Sequence, residues 1–195
     1  MIRTFGSIAA FLVLAACSSS STSSGSAPSA AVGGDLQTPP MGGPAVEAWL
    51  REGAYKKWHC EAQVHGPRSP SLHGLARICT NDALAAAVGS EGEWPVGAAA
   101  VEELYHLATD DSPVGYAVAL KTEPESAAGS GWYWYQRTQP AVSRLPHDDR
   151  GLVADGLGAE GPARAVCVGC HASAGTDANH TPSFGGHDLV YTPVP

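Results

Sequence analysis

The residues best equipped for chemistry stand near the C-terminus of this 195-residue chain, in the run Cys167-Val168-Gly169-Cys170-His171. Two cysteines three apart, with histidine directly after the second, is the attachment pattern of c-type haem. The spacing has a chemical basis. On a turn of helix, residues i and i+3 share one face, so both sulfurs reach the two vinyl groups of one porphyrin. The next residue then turns its imidazole onto the iron as the proximal ligand. The pattern assigns Cys167 and Cys170 to thioether bonds and His171 to the iron. The same residues also suit a zinc knuckle or a redox Cys-x-x-Cys. A tetrahedral zinc site needs four ligands, and His180 and His187 lie downstream to be drawn in.

The N-terminus favours haem, because c-type haem is attached outside the cytoplasm. Arg3 is a short positive region, and Ile8 to Ala16 is apolar but far too short to span a bilayer. Residues 1–16 are therefore expected to be a signal peptide. The run Leu14-Ala15-Ala16-Cys17 resembles the bacterial lipobox, which implies lipidation of Cys17 as the first mature residue. Ordinary signal cleavage beside a chance cysteine is the alternative. Ser18, not aspartate, follows; in a Gram-negative host that points to an outer-membrane anchor facing the periplasm. Residues 17–43 are rich in Ser, Gly, Ala and Pro and bury too little apolar surface to fold, so they read as a flexible tether. Residues 44–195 have the length of one domain.

Removing the signal takes away Arg3 and leaves 10 cations against 19 anions, a net charge of −9 with neutral histidines. An acidic surface repels phosphate backbones, and no nucleic-acid partner is expected. There is no phosphate-cradling glycine loop and no repeat of solenoid length. Of five cysteines, one is expected to carry lipid and two haem. Cys60 and Cys79 remain, and in an oxidising compartment a leftover pair reads as a disulfide.

The elements that must position these residues are mostly strands. Ala45 to Lys57 carries Val46, Trp49, Leu50 and Tyr55 at helical spacing and predicts a short amphipathic helix. Strands are expected over 58–65, 74–80, 98–107, 115–121 and 131–136. Asn81 is an N-cap for a helix over 82–88, stopped by Gly89. Residues 138–161 are rich in Pro, Gly and Asp and predict a long surface loop. A short helix from about Gly161 carries the haem motif, and 188–191 forms a final strand. The fold class is mainly β: an antiparallel sheet with a few short flanking helices. The first two strands form a hairpin. With His65 opposite Gly74, paired numbers share a constant sum, and Cys60 then falls opposite Cys79 on the same face. Arg77 shares that face.

The order of these blocks resembles the cytochrome P-460 family and its relative cytochrome c′-β. The matching residues are Tyr55-x-x-Trp58, Arg77 ahead of Asn81-Asp82-Ala83, Pro95-x-Gly97, Val101-x-Glu103-Leu104, Gly115-Tyr116, Gly131-Trp132, the late haem motif, and Asp188-Leu189-Val190-Tyr191-Thr192. The resemblance implies an antiparallel β fold, often a homodimer, holding one five-coordinate haem with an open distal side. It also marks Arg77 as a haem-pocket residue. The chief departure is Glu102. The P-460 enzymes place there a lysine bonded to the porphyrin edge, a bond that goes with hydroxylamine oxidation, and glutamate cannot form it. Lys121 falls near the family's distal carboxylate. Arg77, Glu102 and Lys121 are thus the distal-pocket candidates. Each has a plainer alternative as a surface or solvated charge.

A His/Met iron is not expected, because Met1 leaves with the signal and Met41 lies in the tether. His59, His65, His73, His106 and His147 are possible sixth ligands. An open iron suits diatomic ligands, so binding or redox handling of small ligands such as nitric oxide is expected. The alternatives are a haem enzyme oxidising hydroxylamine or reducing peroxide, and a periplasmic electron carrier with an unknown redox partner. The spin state of the ferric protein separates the carrier from the other two.

Overall fold

Six strands, paired in chain order, make one antiparallel open sheet. They are β1 (His59–Cys60), β2 (Leu75–Thr80), β3 (Ala99–Tyr105), β4 (Gly115–Lys121), β5 (Trp132–Thr138) and β6 (Leu152–Leu157). The computed structural model describes residues 38–68, 71–90, 92–126, 129–174, 186 and 188–191. The expected signal peptide, Cys17, most of the tether, His180, His187 and Thr192 lie outside the described residues. Among the described residues no helix is long and apolar enough to cross a membrane.

The mainly β expectation holds, with two corrections. The loop expected over 138–161 contains β6. Asp155 and Gly156 are poor strand formers, and they hid a segment that pairs with β5 along most of its length, with an irregularity between Gln136 and Arg137. Conversely, 188–191 is a turn with one isolated bridge rather than a strand.

Side chains alternate across the sheet, and each face buries its own layer. On one face Cys79, Val101, Val118, Leu120, Tyr133 and Tyr135 pack against Val46, Trp49, Leu50, Tyr55 and Trp58. Val46, Trp49 and Leu50 belong to α1 (Gly43–Glu52), Tyr55 to the turn of 3₁₀ helix after it, Ala54–Lys57, and Trp58 caps that turn. The expected single helix is broken at Gly53, whose φ of 70° closes α1 in a left-handed cap. On the other face Trp132, Trp134 and Ala154 pack against Leu84, Trp94, Cys167, Val168 and Leu189. Leu84 lies on α2 (Asp82–Ala86), and Asn81 caps it as expected, its side chain accepting from the Leu84 N–H at 3.1 Å.

A disulfide joins Cys60 to Cys79, which are direct partners across β1 and β2 with Cα atoms 3.9 Å apart. The hairpin premise needs amendment. His65 bridges Ala76, not Gly74, so two extra residues bulge out of the first strand between the disulfide and the turn.

Candidate functional site

The Cys167–His171 run lies on a short helical stretch. Gly161, with φ of 57°, turns the chain out of β6. A π-helical stretch follows over Ala163–Val168, then α3 (Gly169–His171), then a 3₁₀ turn over Ala172–Ala174. Such π turns recur at functional sites, because the extra residue re-aims side chains. Here Cys167, Cys170 and His171 all face one cavity. Val168 fixes the run against the sheet's end. A Cβ at Gly158 would meet the Gly129 carbonyl and the Val168 side chain. Glycine is thus the residue that lets the helix approach.

His171 is held from behind. Its Nδ1 lies 2.8 Å from the Leu189 carbonyl. A carbonyl there fixes the Nδ1–H tautomer and leaves Nε2 as the free, basic nitrogen. Burial pushes the His171 imidazole down to about 4, with the nearby His73 adding to the effect. The ring is therefore neutral at physiological pH, the form that binds a metal. Trp134 packs against it at 4.6 Å between ring centres, and Tyr191 at 5.4 Å.

The Leu189 carbonyl owes its position to a buried ion pair that the sequence did not disclose. Lys121 and Asp188 are both fully buried, with Nζ 2.8 Å from Oδ2. The Lys121 ammonium also meets Glu93 at 3.2 Å and Ser126. Asp188 accepts further from the Trp94 backbone N–H at 2.9 Å. Asp188 and Leu189 take φ of 45° and 66°, left-handed values unusual for these residues. Each such residue costs on the order of 1–3 kcal/mol and persists only where its surroundings hold it. The Lys121–Asp188 pair is that hold. A lone lysine closing the apolar strand Gly115–Lys121 was the available signal.

The cavity has a volume of about 210 Å³. Its floor on the sheet is Ile78, Ala100, Ala117 and Ala119, small or apolar side chains that leave a flat surface. The motif helix and Trp134 bound one side, and His65, Leu72 and His73 of the β1–β2 connection bound another.

The three distal candidates part company. Glu102 lines the cavity, its Oε2 lying 3.2 Å from His73 Nδ1. Lys121 is on the same sheet face but spends its charge on Asp188, and it does not line the cavity. Arg77 is on the opposite face. Its Nε donates to Glu103 Oε2 at 2.7 Å, within a cluster completed by the hydroxyls of Tyr55 and Tyr105. Arg77 does share the face of Cys79, as expected, but that face looks at α1 rather than at the haem motif.

The residues present fit a covalently attached haem. Cys167 and Cys170 are free thiols beside His171 on one largely apolar cavity. The Trp134 indole N–H, buried at its wall, has no partner among the described residues. Burial pushes the Cys167 thiol up to about 12, whereas a redox Cys-x-x-Cys works through a ready thiolate. The histidines a zinc site would draw in, His180 and His187, lie outside the described residues. No cluster of three or more metal-ligating side chains occurs among the described residues. In comparisons with known proteins, no family model, no curated protein and no solved structure matches the chain.

Proposed function

We propose that the protein is an exported monohaem c-type cytochrome of the cytochrome P-460 and c′-β kind. It binds or redox-processes small ligands such as nitric oxide, and is tethered through lipidated Cys17 to the outer membrane. One observation carries the reading: Cys167, Cys170 and His171 converge on one apolar cavity while Leu189 holds His171 by Nδ1. Haem bound there supplies an iron centre for ligand binding and one-electron transfer. Cys167 and Cys170 would hold it through thioether bonds, and His171 Nε2 would ligate the iron. The small side chains of Ala100, Ala117 and Ala119 on β3 and β4 would leave room beside the sheet for a large planar group. The largely apolar lining suits diatomic ligands better than strongly polar ones. Glu102 offers a proton acceptor on the cavity's far side.

Glu102 also bears on the reaction class. With no lysine at this position, the ferrous spectrum is expected to be that of an ordinary c-type haem, without the red-shifted band of the P-460 enzymes. Hydroxylamine turnover should be weak or absent. Titration of the reduced holoprotein with nitric oxide, followed by absorbance, tests the reading, with a saturable spectral change as the expected result. A red-shifted ferrous band with rapid hydroxylamine oxidation, or no response to nitric oxide, would overturn it.

A further inference from the structure

We infer that His73 is the second axial ligand of the iron, standing opposite His171 and backed by Glu102, and that small ligands reach the metal by displacing it. The inference rests on the haem reading above but departs from the open distal side that the resemblance implies: the resting iron is six-coordinate. Uptake of a small ligand on release of His73, rather than ferric spin state alone, then separates this protein from an electron carrier. The ring centres of His73 and His171 are 6.3 Å apart, with planes at 83°. Two imidazoles on opposite sides of one metal have ring centres about 6 Å apart, from two metal–nitrogen bonds of about 2 Å plus a ring radius at each end. The protein alone brings the rings to this separation.

Each ring is approached on its Nδ1 side. His171 has the Leu189 carbonyl at 2.8 Å. His73 has Glu102 Oε2 at 3.2 Å, placed as an ion pair rather than aligned as a hydrogen bond. An acceptor behind Nδ1 is the arrangement that orients a ligating histidine and raises the basicity of its Nε2. Neither Nε2 has a hydrogen-bond partner among the described residues. The position of Glu102 thereby gains a role: it is the carboxylate behind the distal ligand.

The other described histidines do not compete. His59, His106 and His147 are exposed and away from the cavity. His65 lines the cavity, but its Nδ1 is hydrogen-bonded to the Gly66 carbonyl at 2.6 Å, and its Nε2 faces Glu61 at 3.0 Å without an aligned hydrogen bond, turned to a carboxylate rather than to His171. His73 belongs to the irregular β1–β2 connection, so its ring can leave the iron without unpairing a strand. A ligand that must wait for His73 binds with an affinity reduced by the fraction of time the iron is free. If that fraction is about one tenth, the loss is about tenfold.

The test uses holoprotein exported by a host with haem-attachment machinery. Ferric wild type is expected to be low-spin by electron paramagnetic resonance and absorbance. His73→Ala is expected to turn high-spin, to return to low-spin on adding free imidazole, and to take up carbon monoxide about tenfold faster when reduced. His73→Met, which keeps a side chain able to ligate, should remain low-spin with a raised reduction potential. A high-spin ferric wild type overturns the inference. So does a low-spin spectrum that survives His73→Ala. Failure of the haem reading itself would show separately, as an absence of covalent haem.

Discussion

Glu102 and Glu103 are adjacent in sequence and opposite in placement, because consecutive strand residues point to opposite faces. Glu102 looks into the cavity beside His73. Glu103, 1% exposed, is buried against α1 and the 3₁₀ turn, where it accepts from Tyr55 at 2.6 Å, Tyr105 at 2.8 Å and Arg77 at 2.7 Å. A buried carboxylate is tolerated only when paired and hydrogen-bonded. Arg77 is therefore a structural partner of Glu103. Arg77→Leu is expected to lower stability by about 2 kcal/mol, below the range for a fully buried pair because the Arg77 side chain stays 30% exposed. Urea melts measure the loss. The haem spectrum should not change, since Arg77 is on the far face from His171. A spectral shift without a stability change would restore Arg77 to the pocket. The clustering of Cys167, Cys170 and His171 was legible because their spacing puts all three on one turn facing one cavity. The face of Arg77 was not, because it depends on which side of the sheet the motif helix packs, and no local pattern states that.

At the scale of elements, the turn at 188–191 governs the orientation of His171. It was expected as a strand because Leu189-Val190-Tyr191 is β-prone, but the Lys121–Asp188 pair wins and bends the backbone into left-handed values. Replacing Asp188 with asparagine leaves the buried Lys121 ammonium with Glu93 and Ser126, beside the Trp132 ring, and without its buried carboxylate. The expected cost is about 3 kcal/mol. The expected second effect is a shifted reduction potential in the holoprotein, as the Leu189 carbonyl relaxes from His171. Lys121→Met combined with Asp188→Leu should cost less than the two single substitutions added together, the coupling expected of contacting residues. Additive losses with an unmoved potential would detach this pair from the site. The hairpin teaches a related lesson. The disulfide was legible from cysteine arithmetic and compartment, whereas the bulge between Cys60 and His65 has no sequence signature. Strand β6 was missed because its pairing with β5, not its own composition, makes it a strand.

Across the whole molecule the sheet separates two layers with different duties. One face, with α1, is a tyrosine-rich structural core; the other holds the cavity. Tyr55, Tyr133 and Tyr135 are held well above the usual phenol range, first by burial and then by hydrogen bonds to Glu103, Asp155 and Glu47. Tyr105 is pushed up to about 12 by burial and its bond to Glu103. In the unfolded chain these phenols ionise near pH 10. Their contribution to stability is therefore complete below about pH 10 and is lost as pH rises beyond it. Phenolate absorbance for these residues should rise together with loss of the β-sheet circular dichroism. Titration near pH 10 with the fold intact would contradict the packing of this face. The central claim concerns the other face, and pyridine haemochrome analysis of the exported protein, with intact mass, tests it most directly. Wild type is expected to show one covalently attached c-type haem, Cys167→Ala combined with Cys170→Ala none, and His171→Ala a haem still bound through sulfur. Wild type without covalent haem would contradict the account and return the two cysteines to zinc or redox chemistry.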